Sequence, residues 1–211
     1  MEHPESNRMK TYIQIGAGAG DRDPNANFID GFTRMVKAED PATVGRVLLV
    51  EPNPVNIPFL QECWKDYPQA EIYSIGIIPS AFTERTITFY YAKGDGPHFQ
   101  CTSIKKDHTG QSELGEFVAP CETLSEFLIR TVDKNYIDVL AVDIEGIDGD
   151  VIIDTDWSKF NIDKISFEYT NLGGQTELVK EHLTKYNFKY VGVGLDRDGL
   201  DWMYQKVKDG Q

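Results

Sequence analysis

YIQIGAGAG, from Tyr12 to Gly20, is the stretch that decides the fold class, because an apolar run ends there in alternating glycines. Such glycines permit a sharp turn and a close approach of the backbone to another group. Phe32 and Val36 then follow at helical spacing, and Arg46–Val50 forms a second apolar run. The order strand, glycine turn, helix, strand is typical of a parallel α/β sheet.

Short apolar runs continue to alternate with helical patterns along most of the chain. Strands are predicted at 71–75, 137–142 and 164–169, and helices around Pro58, Leu124 and Leu178. Between about 79 and 120 this rhythm is lost, and two β-rich runs, 86–91 and 99–104, flank the turn cluster 94–97. We therefore expect a polar tail at 1–10 and a single domain at 11–211, with a β-hairpin or loop insertion at about 79–120 that covers a site.

The end of the chain predicts an antiparallel strand. Phe188–Val193 and Trp202–Val207 have strand composition, and Asp198-Gly199 between them is a hairpin signal. A parallel crossover needs roughly a dozen residues or more, so this connection is too short for one. Nicotinamide-binding Rossmann domains do not usually end in this way.

Composition excludes several functional classes. The 211 residues carry 34 acidic and 21 basic side chains, a net charge of −13, which opposes binding to nucleic acid or anionic lipid. No apolar run reaches the ~20 residues that span a bilayer, and Met1–Lys10 lacks the pattern of a signal peptide. Three cysteines without Cys-x-x-Cys spacing fit a reducing compartment. We expect a soluble cytoplasmic protein that binds neither nucleic acid nor membranes.

Carboxylates follow several predicted strands, at the edge where open α/β sheets bind ligands. Glu51 ends the second strand and can accept both hydroxyl protons of a ribose, or it is a solvated strand end. Asp143 and Glu145 follow a nearly apolar strand, where they are costly unless donors satisfy them; alternatively, they cap the next helix. Glu168 and Asn171 follow another strand, so Asp143, Glu168 and Asn171 form a candidate magnesium site.

Two histidines fall inside the irregular region. His98 and His108 can each act as a base if this segment folds over the cleft, and a surface position is the simpler interpretation for both. His182 lies on the apolar stripe of a predicted helix, where a packed or edge histidine is expected.

Three motifs together resemble the FkbM family of S-adenosylmethionine-dependent methyltransferases. They are the Tyr12–Gly20 stretch, LVEPNP at Leu49–Pro54, and IDVLAVDIEG at Ile137–Gly146. The resemblance extends from about Thr11 to Lys206. It implies a Rossmann-like class I methyltransferase fold, with three α/β/α layers and a mostly parallel seven-stranded sheet whose last strand is antiparallel. This agrees with the hairpin predicted above.

The resemblance also implies roles for individual residues. The glycine loop would hold the methionine part of S-adenosylmethionine, Glu51 would bind its ribose, and the segment after the third strand would line the adenine pocket. Gln14 stands where many class I enzymes have an acid, which reduces the negative charge near the cofactor's ammonium group. The implied cofactor-binding residues are Gln14, Gly16, Ala17, Gly18, Gly20, Glu51, Pro52, Asn53, Ser74, Gly76, Ile77 and Asp143.

The implied reaction is O-methylation of a hydroxyl on a sugar or similar small metabolite. Asp143 would act as the base or hold a metal, Glu145 would orient it, and His98 is the next candidate base. A nicotinamide-dependent oxidoreductase is the alternative enzyme, although the interval from Gly20 to Glu51 exceeds the ~20 residues of its usual fingerprint. A module that binds S-adenosylmethionine without catalysis is the third possibility. The oligomeric state is not predicted.

Overall fold

The computed structural model describes residues 8–22, 30–93, 101–108, 110, 113–195 and 199–207. The strands in these residues are β1 (Lys10–Ile15), β2 (Val44–Val50), β3 (Ala70–Tyr73), β4 (Gly76–Ile77), β5 (Thr86–Ala92), β6 (Leu114–Glu122), β7 (Tyr136–Val142), β8 (Asn161–Glu168), β9 (Phe188–Val193) and β10 (Asp201–Lys206). The helices are α1 (Gly31–Lys37), α2 (Ile57–Trp64), α3 (Leu124–Thr131), α4 (Asp148–Asp154) and α5 (Thr176–Lys185).

Seven strands form the main sheet, in the order β3-β2-β1-β7-β8-β10-β9. Strand β1 lies inside the sheet, next to the central strand β7, and pairs in parallel with β2 on one side and β7 on the other. Strand β10 pairs antiparallel with both β8 and β9. The predicted α/β fold class with an antiparallel last strand is therefore confirmed.

The two faces of the sheet carry separate cores. Along β1, Ile13 and Ile15 face a core that contains Phe127 of α3 and Val151 of α4, whereas Tyr12 faces the opposite core. That second core includes Phe32 and Val36 of α1 and Trp64 of α2. The fold thus has three layers, and none of its helices within the described ranges has both the length and the apolar character to cross a membrane.

A smaller sheet, ordered β4-β6-β5, occupies part of the irregular region. The predicted strand 86–91 is confirmed as β5, whereas the predicted run 99–104 is described only from residue 101 onward. Ser103 makes only an isolated bridge to Tyr90, and β6 pairs with the whole of β5 instead. Strand β6 buries Ala119 and Cys121 and exposes Val118 and Pro120, which is the period of two expected of a half-buried strand. The turn cluster 94–97 lies outside the described residues.

Two helices differ in detail from the prediction. Helix α1 begins at Gly31, where Asp30 accepts a hydrogen bond from the Thr33 amide at 2.6 Å. In α5, Val179 and Leu183 are buried, but Leu178 is 55% exposed. The prediction that Leu178 lies on the buried face is therefore wrong, because the stripe that packs on the sheet runs through Val179 and Leu183.

Gly16 allows the ends of β1 and β7 to come together. The Asp143 amide donates to the Ile15 carbonyl at 2.9 Å, and Gly16 has a φ of 82°. A β-carbon added at Gly16 would lie 1.7 Å from the Asp143 carbonyl oxygen. A larger residue is therefore excluded by both backbone conformation and space.

We predict that Gly16→Ala lowers the free energy of unfolding by about 3 kcal/mol or more, because it adds a backbone clash to the strain of a positive φ. Gly173→Ala is the matched control, since Gly173 has a φ of 56° and nothing within 4 Å of an added β-carbon. This control should lose only about 1 kcal/mol. Urea unfolding measures the free energy of unfolding of both variants. Equal losses in the two variants would contradict the importance of the close approach between Gly16 and the Asp143 carbonyl.

Candidate functional site

The glycine loop and Glu51 meet at the carboxyl edge of the sheet. The loop follows β1, Glu51 follows β2, and these two strands are neighbours. The Gly18 amide donates a hydrogen bond to Glu51 Oε2 at 2.8 Å. Strand order reverses at β1, between β2 and β7, which is the switch point where open α/β sheets bind their ligands.

The loop has the conformation that its glycines predict. Gly16, Gly18 and Gly20 all have positive φ values, of 82°, 54° and 59°. The next element is a single 3-10 turn at Gly20–Arg22, whereas α1 begins only at Gly31. The loop therefore leads into a 3-10 turn and not directly into α1.

Glu51 is a buried carboxylate that organises the turn after β2. It is 3% exposed, and its Oε1 accepts hydrogen bonds from the Asn53 amide at 2.8 Å and from Asn56 Nδ2 at 3.2 Å. Burial raises the pKa of Glu51 to about 7 despite these donors and Gly18. The alternative that Glu51 is a solvated strand end is wrong.

Gln14 has an acidic neighbour that the sequence did not reveal. Gln14 Nε2 donates to Asp30 Oδ1 at 3.0 Å, and burial raises the pKa of Asp30. Gln14 Oε1 is buried and has no hydrogen-bond partner within the described ranges. An unpaired buried oxygen favours a ligand that brings a donor. An acidic side chain that lies 16 residues away in the chain is thus hydrogen-bonded to the glutamine of the glycine motif.

Most of the other residues predicted to bind the cofactor are buried within the protein. Asn53 is fully buried; its Oδ1 accepts from the Val55 amide at 3.0 Å and its Nδ2 donates to Thr102 Oγ1 at 3.1 Å. Gly76 and Ile77 are buried in β4, and an added β-carbon at Gly76 would clash with Phe89 and Cys121. Ala17 is buried, Pro52 is half-buried, and Ser74 is exposed. Among these residues, only Ser74 presents an exposed side chain.

Asp143 lies among other carboxylates at the carboxyl end of β7. Its side chain is accessible to solvent, as expected of a residue in a cleft. Although the residue reaches solvent, partial desolvation of its carboxylate by the surrounding protein, together with four nearby carboxylates, raises the pKa of Asp143 well above its usual value. Those four carboxylates belong to Glu145, Asp148, Glu168 and Asp201.

Asp148 closes the turn after β7. Its carboxylate accepts hydrogen bonds from the Ile144 amide at 3.0 Å and the Gly146 amide at 3.3 Å, and burial raises its pKa to about 7. Asp148 therefore takes the structural role that the alternative interpretation gave to Asp143 and Glu145. Sequence reasoning missed it, although its place in the first turn of α4 is typical of an acid that binds free amides.

His108 and Glu145 form a close pair. His108 Nε2 lies 2.6 Å from Glu145 Oε2, and their side chains are 17% and 20% exposed. The hydrogen bond to Glu145 raises the pKa of His108. The interpretation of His108 as a surface histidine is therefore wrong. His98 lies outside the described residues.

Two of the three predicted magnesium ligands, Glu168 and Asn171, are hydrogen-bonded to each other. Asn171 Nδ2 donates to Glu168 Oε2 at 2.7 Å, and Thr170 Oγ1 donates to the other oxygen of Glu168. Within the described ranges, no group of three or more His, Cys, Asp or Glu side chains is arranged to hold a metal ion. These observations do not support the magnesium site formed by Asp143, Glu168 and Asn171.

Comparison with known proteins identifies a family. The model of the methyltransferase FkbM domain matches residues 14–190. A structure of methyltransferase FkbM from Methylobacillus flagellatus is 13% identical, with a TM-score of 0.49, and the match covers 93% of this chain and 43% of that one. The METTL16 methyltransferase domain is 11% identical, with a TM-score of 0.50 and coverage of 97% and 63%.

Fibrillarin from Aeropyrum pernix, solved with natively bound S-adenosyl-L-methionine, is 11% identical, with a TM-score of 0.47 and coverage of 94% and 66%. No curated protein sequence matches the chain significantly. The chain thus spans less than two thirds of the length of these three solved structures. At 11% identity, the match to the METTL16 domain shows a common fold.

We predict that Glu51→Gln flattens part of the pH dependence of stability. A carboxyl whose pKa rises from 4.5 to about 7 on folding binds its proton more tightly in the native state, so the free energy of unfolding falls as pH rises through this window. The difference between wild type and Glu51→Gln should change by about 3 kcal/mol between pH 4.5 and pH 8.

Urea unfolding at the two pH values measures this change. Glu177→Gln, on the exposed face of α5, is the control and should follow the wild type. A parallel shift of the Glu51→Gln and wild-type curves would contradict the raised pKa.

Proposed function

The chain belongs to the FkbM methyltransferase family, and from this premise we propose that it transfers the methyl group of S-adenosylmethionine to a hydroxyl of a small metabolite such as a sugar. The observation that carries the cofactor part is the hydrogen bond between Gly18 and Glu51. It joins a loop suited to the methionine part of the cofactor to a carboxylate suited to its ribose. Family membership also removes the support for the nicotinamide alternative.

The polar atoms of this site fit S-adenosylmethionine. Gln14 Oε1 and Asn56 Oδ1 are both buried without a partner in the described ranges, and Asn56 contacts Glu51 through its other amide atom. Both oxygens accept hydrogen bonds, and the cofactor offers an ammonium group and two ribose hydroxyls as donors. The bound cofactor supplies an electrophilic methyl group on a sulfonium.

We assign the acceptor to the ends of β7 and β8, beside Asp143. Methyl transfer requires the acceptor oxygen in line with the methyl group at near-attack distance. Asp143 is solvent-accessible there and can hold a hydroxyl by hydrogen bonding. The negative charges of Glu145 and Asp148 act on Asp143 and favour its protonated form.

The charge of this region supports a small, non-anionic acceptor. Asp143 lies among four other carboxylates, and the whole chain has a net charge of −13. A phosphate group would be repelled there. RNA is the competing acceptor, because proteins of this fold include an archaeal fibrillarin described as a pre-rRNA processing protein. We favour a hydroxyl compound and make RNA one arm of the test.

We predict that S-adenosylhomocysteine binds more weakly as pH falls below about 7, because only ionised Glu51 accepts both ribose hydroxyls. The dissociation constant should rise about tenfold per pH unit, or about 100-fold at pH 5. Titration calorimetry of wild type and Glu51→Gln measures it, and the variant should bind weakly with no such slope.

NAD is the control ligand, since Glu51 would serve its ribose equally well. We expect thermal stabilisation by S-adenosylhomocysteine and none by NAD. Stabilisation by NAD alone, or an identical pH slope in Glu51→Gln, would contradict the assigned pocket.

We predict that radiolabelled methyl groups pass to monosaccharides, amino sugars or cyclitols and not to an RNA oligonucleotide. Asp143→Asn should lower turnover about 100-fold or more, and affinity for S-adenosylhomocysteine should change less than about threefold. Asp66→Asn, at an exposed position after α2, is the matched control and should keep full activity. Labelling of RNA alone would overturn the acceptor class, and cofactor binding without any transfer would favour the non-catalytic module.

A further inference from the structure

Residues 101–108, which we call the covering segment, connect the cofactor side of the cleft to the acceptor side. On the cofactor side, Thr102 Oγ1 accepts the hydrogen bond from Asn53 at 3.1 Å. On the acceptor side, Ser103 Oγ donates to the Glu145 carbonyl at 2.7 Å, and Lys105 Nζ donates to the Gly146 carbonyl. Ser103 is 1% exposed, so the segment is built into the structure at its centre.

This anchoring fixes the position of His108. The His108 amide donates to the Lys105 carbonyl at 3.1 Å, which closes a turn. The ring then places Nε2 2.6 Å from Glu145 Oε2. Nδ1 has no hydrogen-bond partner in the described ranges, and it lies 2.9 Å from where a β-carbon on Gly146 would stand. The missing side chain at Gly146 therefore allows the His108 ring to pack closely against the backbone there.

We propose that His108 is the catalytic residue that accepts the proton of the acceptor hydroxyl at Nδ1, and that Glu145 is the positioning residue that holds the ring through Nε2. The inference rests on the proposed function, because it assigns the base for O-methylation. It has the hydrogen bonding of an oriented base: one ring nitrogen is bonded to a carboxylate, and the other has no hydrogen-bond partner in the described ranges.

The charges around the cleft favour an imidazole over a carboxylate as the proton acceptor. The acidic groups that oppose ionisation of Asp143 stabilise a cation on His108. Asp143 then holds the hydroxyl while His108 takes its proton. The charged and titratable groups that face the His108–Glu145 pair are Glu168, Asp148, Cys101 and, on its own turn, Lys105.

The proposed step balances without a further reactant. The acceptor oxygen forms a bond to the methyl carbon as the bond from that carbon to the sulfonium breaks, and sulfur keeps the electron pair. The acceptor O–H bond breaks and its proton moves to Nδ1. The products are the methyl ether, S-adenosylhomocysteine and an imidazolium that faces Glu145, and the proton then passes to solvent.

The first measurement is ¹⁵N NMR of the histidines in the complex with S-adenosylhomocysteine, which needs no acceptor. We expect neutral His108 to carry its proton on Nε2, with Nδ1 unprotonated. Its pKa should lie above 6.5 and fall in Glu145→Gln. A proton on Nδ1 in the neutral ring, or a pKa indifferent to Glu145→Gln, would overturn the proposal.

The second measurement is the pH profile of kcat at saturating S-adenosylmethionine, with the hydroxyl compound that is labelled most strongly in the panel. The wild-type rate should rise with pH up to the pKa of His108, because only neutral imidazole accepts a proton. In His108→Gln, kcat should fall about 100-fold, and the rise of kcat with pH, the acid limb of the profile, should disappear. The affinity for S-adenosylhomocysteine should be unchanged. Asp143→Asn should keep the limb while turning over slowly.

His182→Gln is the matched control, since His182 Nε2 contacts the Thr155 carbonyl at 2.9 Å on α5, away from the covering segment. It should behave as wild type. An acid limb that persists in His108→Gln would overturn the proposal even if hydroxyl methylation is confirmed. Labelling of RNA alone would instead contradict the proposed function, and the NMR result would still decide the state of the pair.

Discussion

A buried carboxylate hydrogen-bonded to the glycine loop holds the site together. Glu51 accepts from Gly18 on one oxygen and from Asn53 and Asn56 on the other, so the turns after β1 and β2 are fixed relative to each other. Folding removes the Glu51 carboxylate from water, and this desolvation raises the pKa of Glu51 to about 7. A ligand whose hydroxyls hydrogen-bond to ionised Glu51 relieves part of this cost, so cofactor binding and the ionisation of Glu51 are coupled.

The cleft divides into two electrostatic regions along the sheet edge. The β1–β2 side offers individual hydrogen-bond acceptors, such as Gln14 Oε1 and Asn56 Oδ1, to the proposed cationic cofactor. The β7–β8 side concentrates carboxylates around Asp143 and repels anions. A sulfonium donor fits between these regions before transfer, and an imidazolium on His108 can replace its positive charge afterwards. Net charge in the cleft is thus preserved through the proposed reaction.

Much of the fold was predictable because it depends on local patterns. Period-two runs, the glycine turn and the final hairpin specify the order and direction of the strands, and each is read over fewer than about ten residues. The same reasoning placed Gly18 and Glu51 together, since neighbouring parallel strands end at one edge. It did not predict that β6, a strand with a clear alternation of buried residues, pairs with the whole of β5, or that Ser103 makes only an isolated bridge to β5.

Contacts between residues far apart in the chain could not be predicted in this way. His108 reaches Glu145 across 37 residues, and Asp30 reaches Gln14 across 16, through segments without a regular period. Their pairing depends on how the covering segment packs, with Ser103 and Thr102 supplying the anchors. The sequence held one indication of these contacts. Two carboxylates that follow an apolar strand need hydrogen-bond donors, and the irregular region contains several side chains that can donate. The position of His108, the proposed base, therefore follows from the need of acidic groups for hydrogen-bond donors, and the pairing of donors with acids is visible only in the tertiary structure.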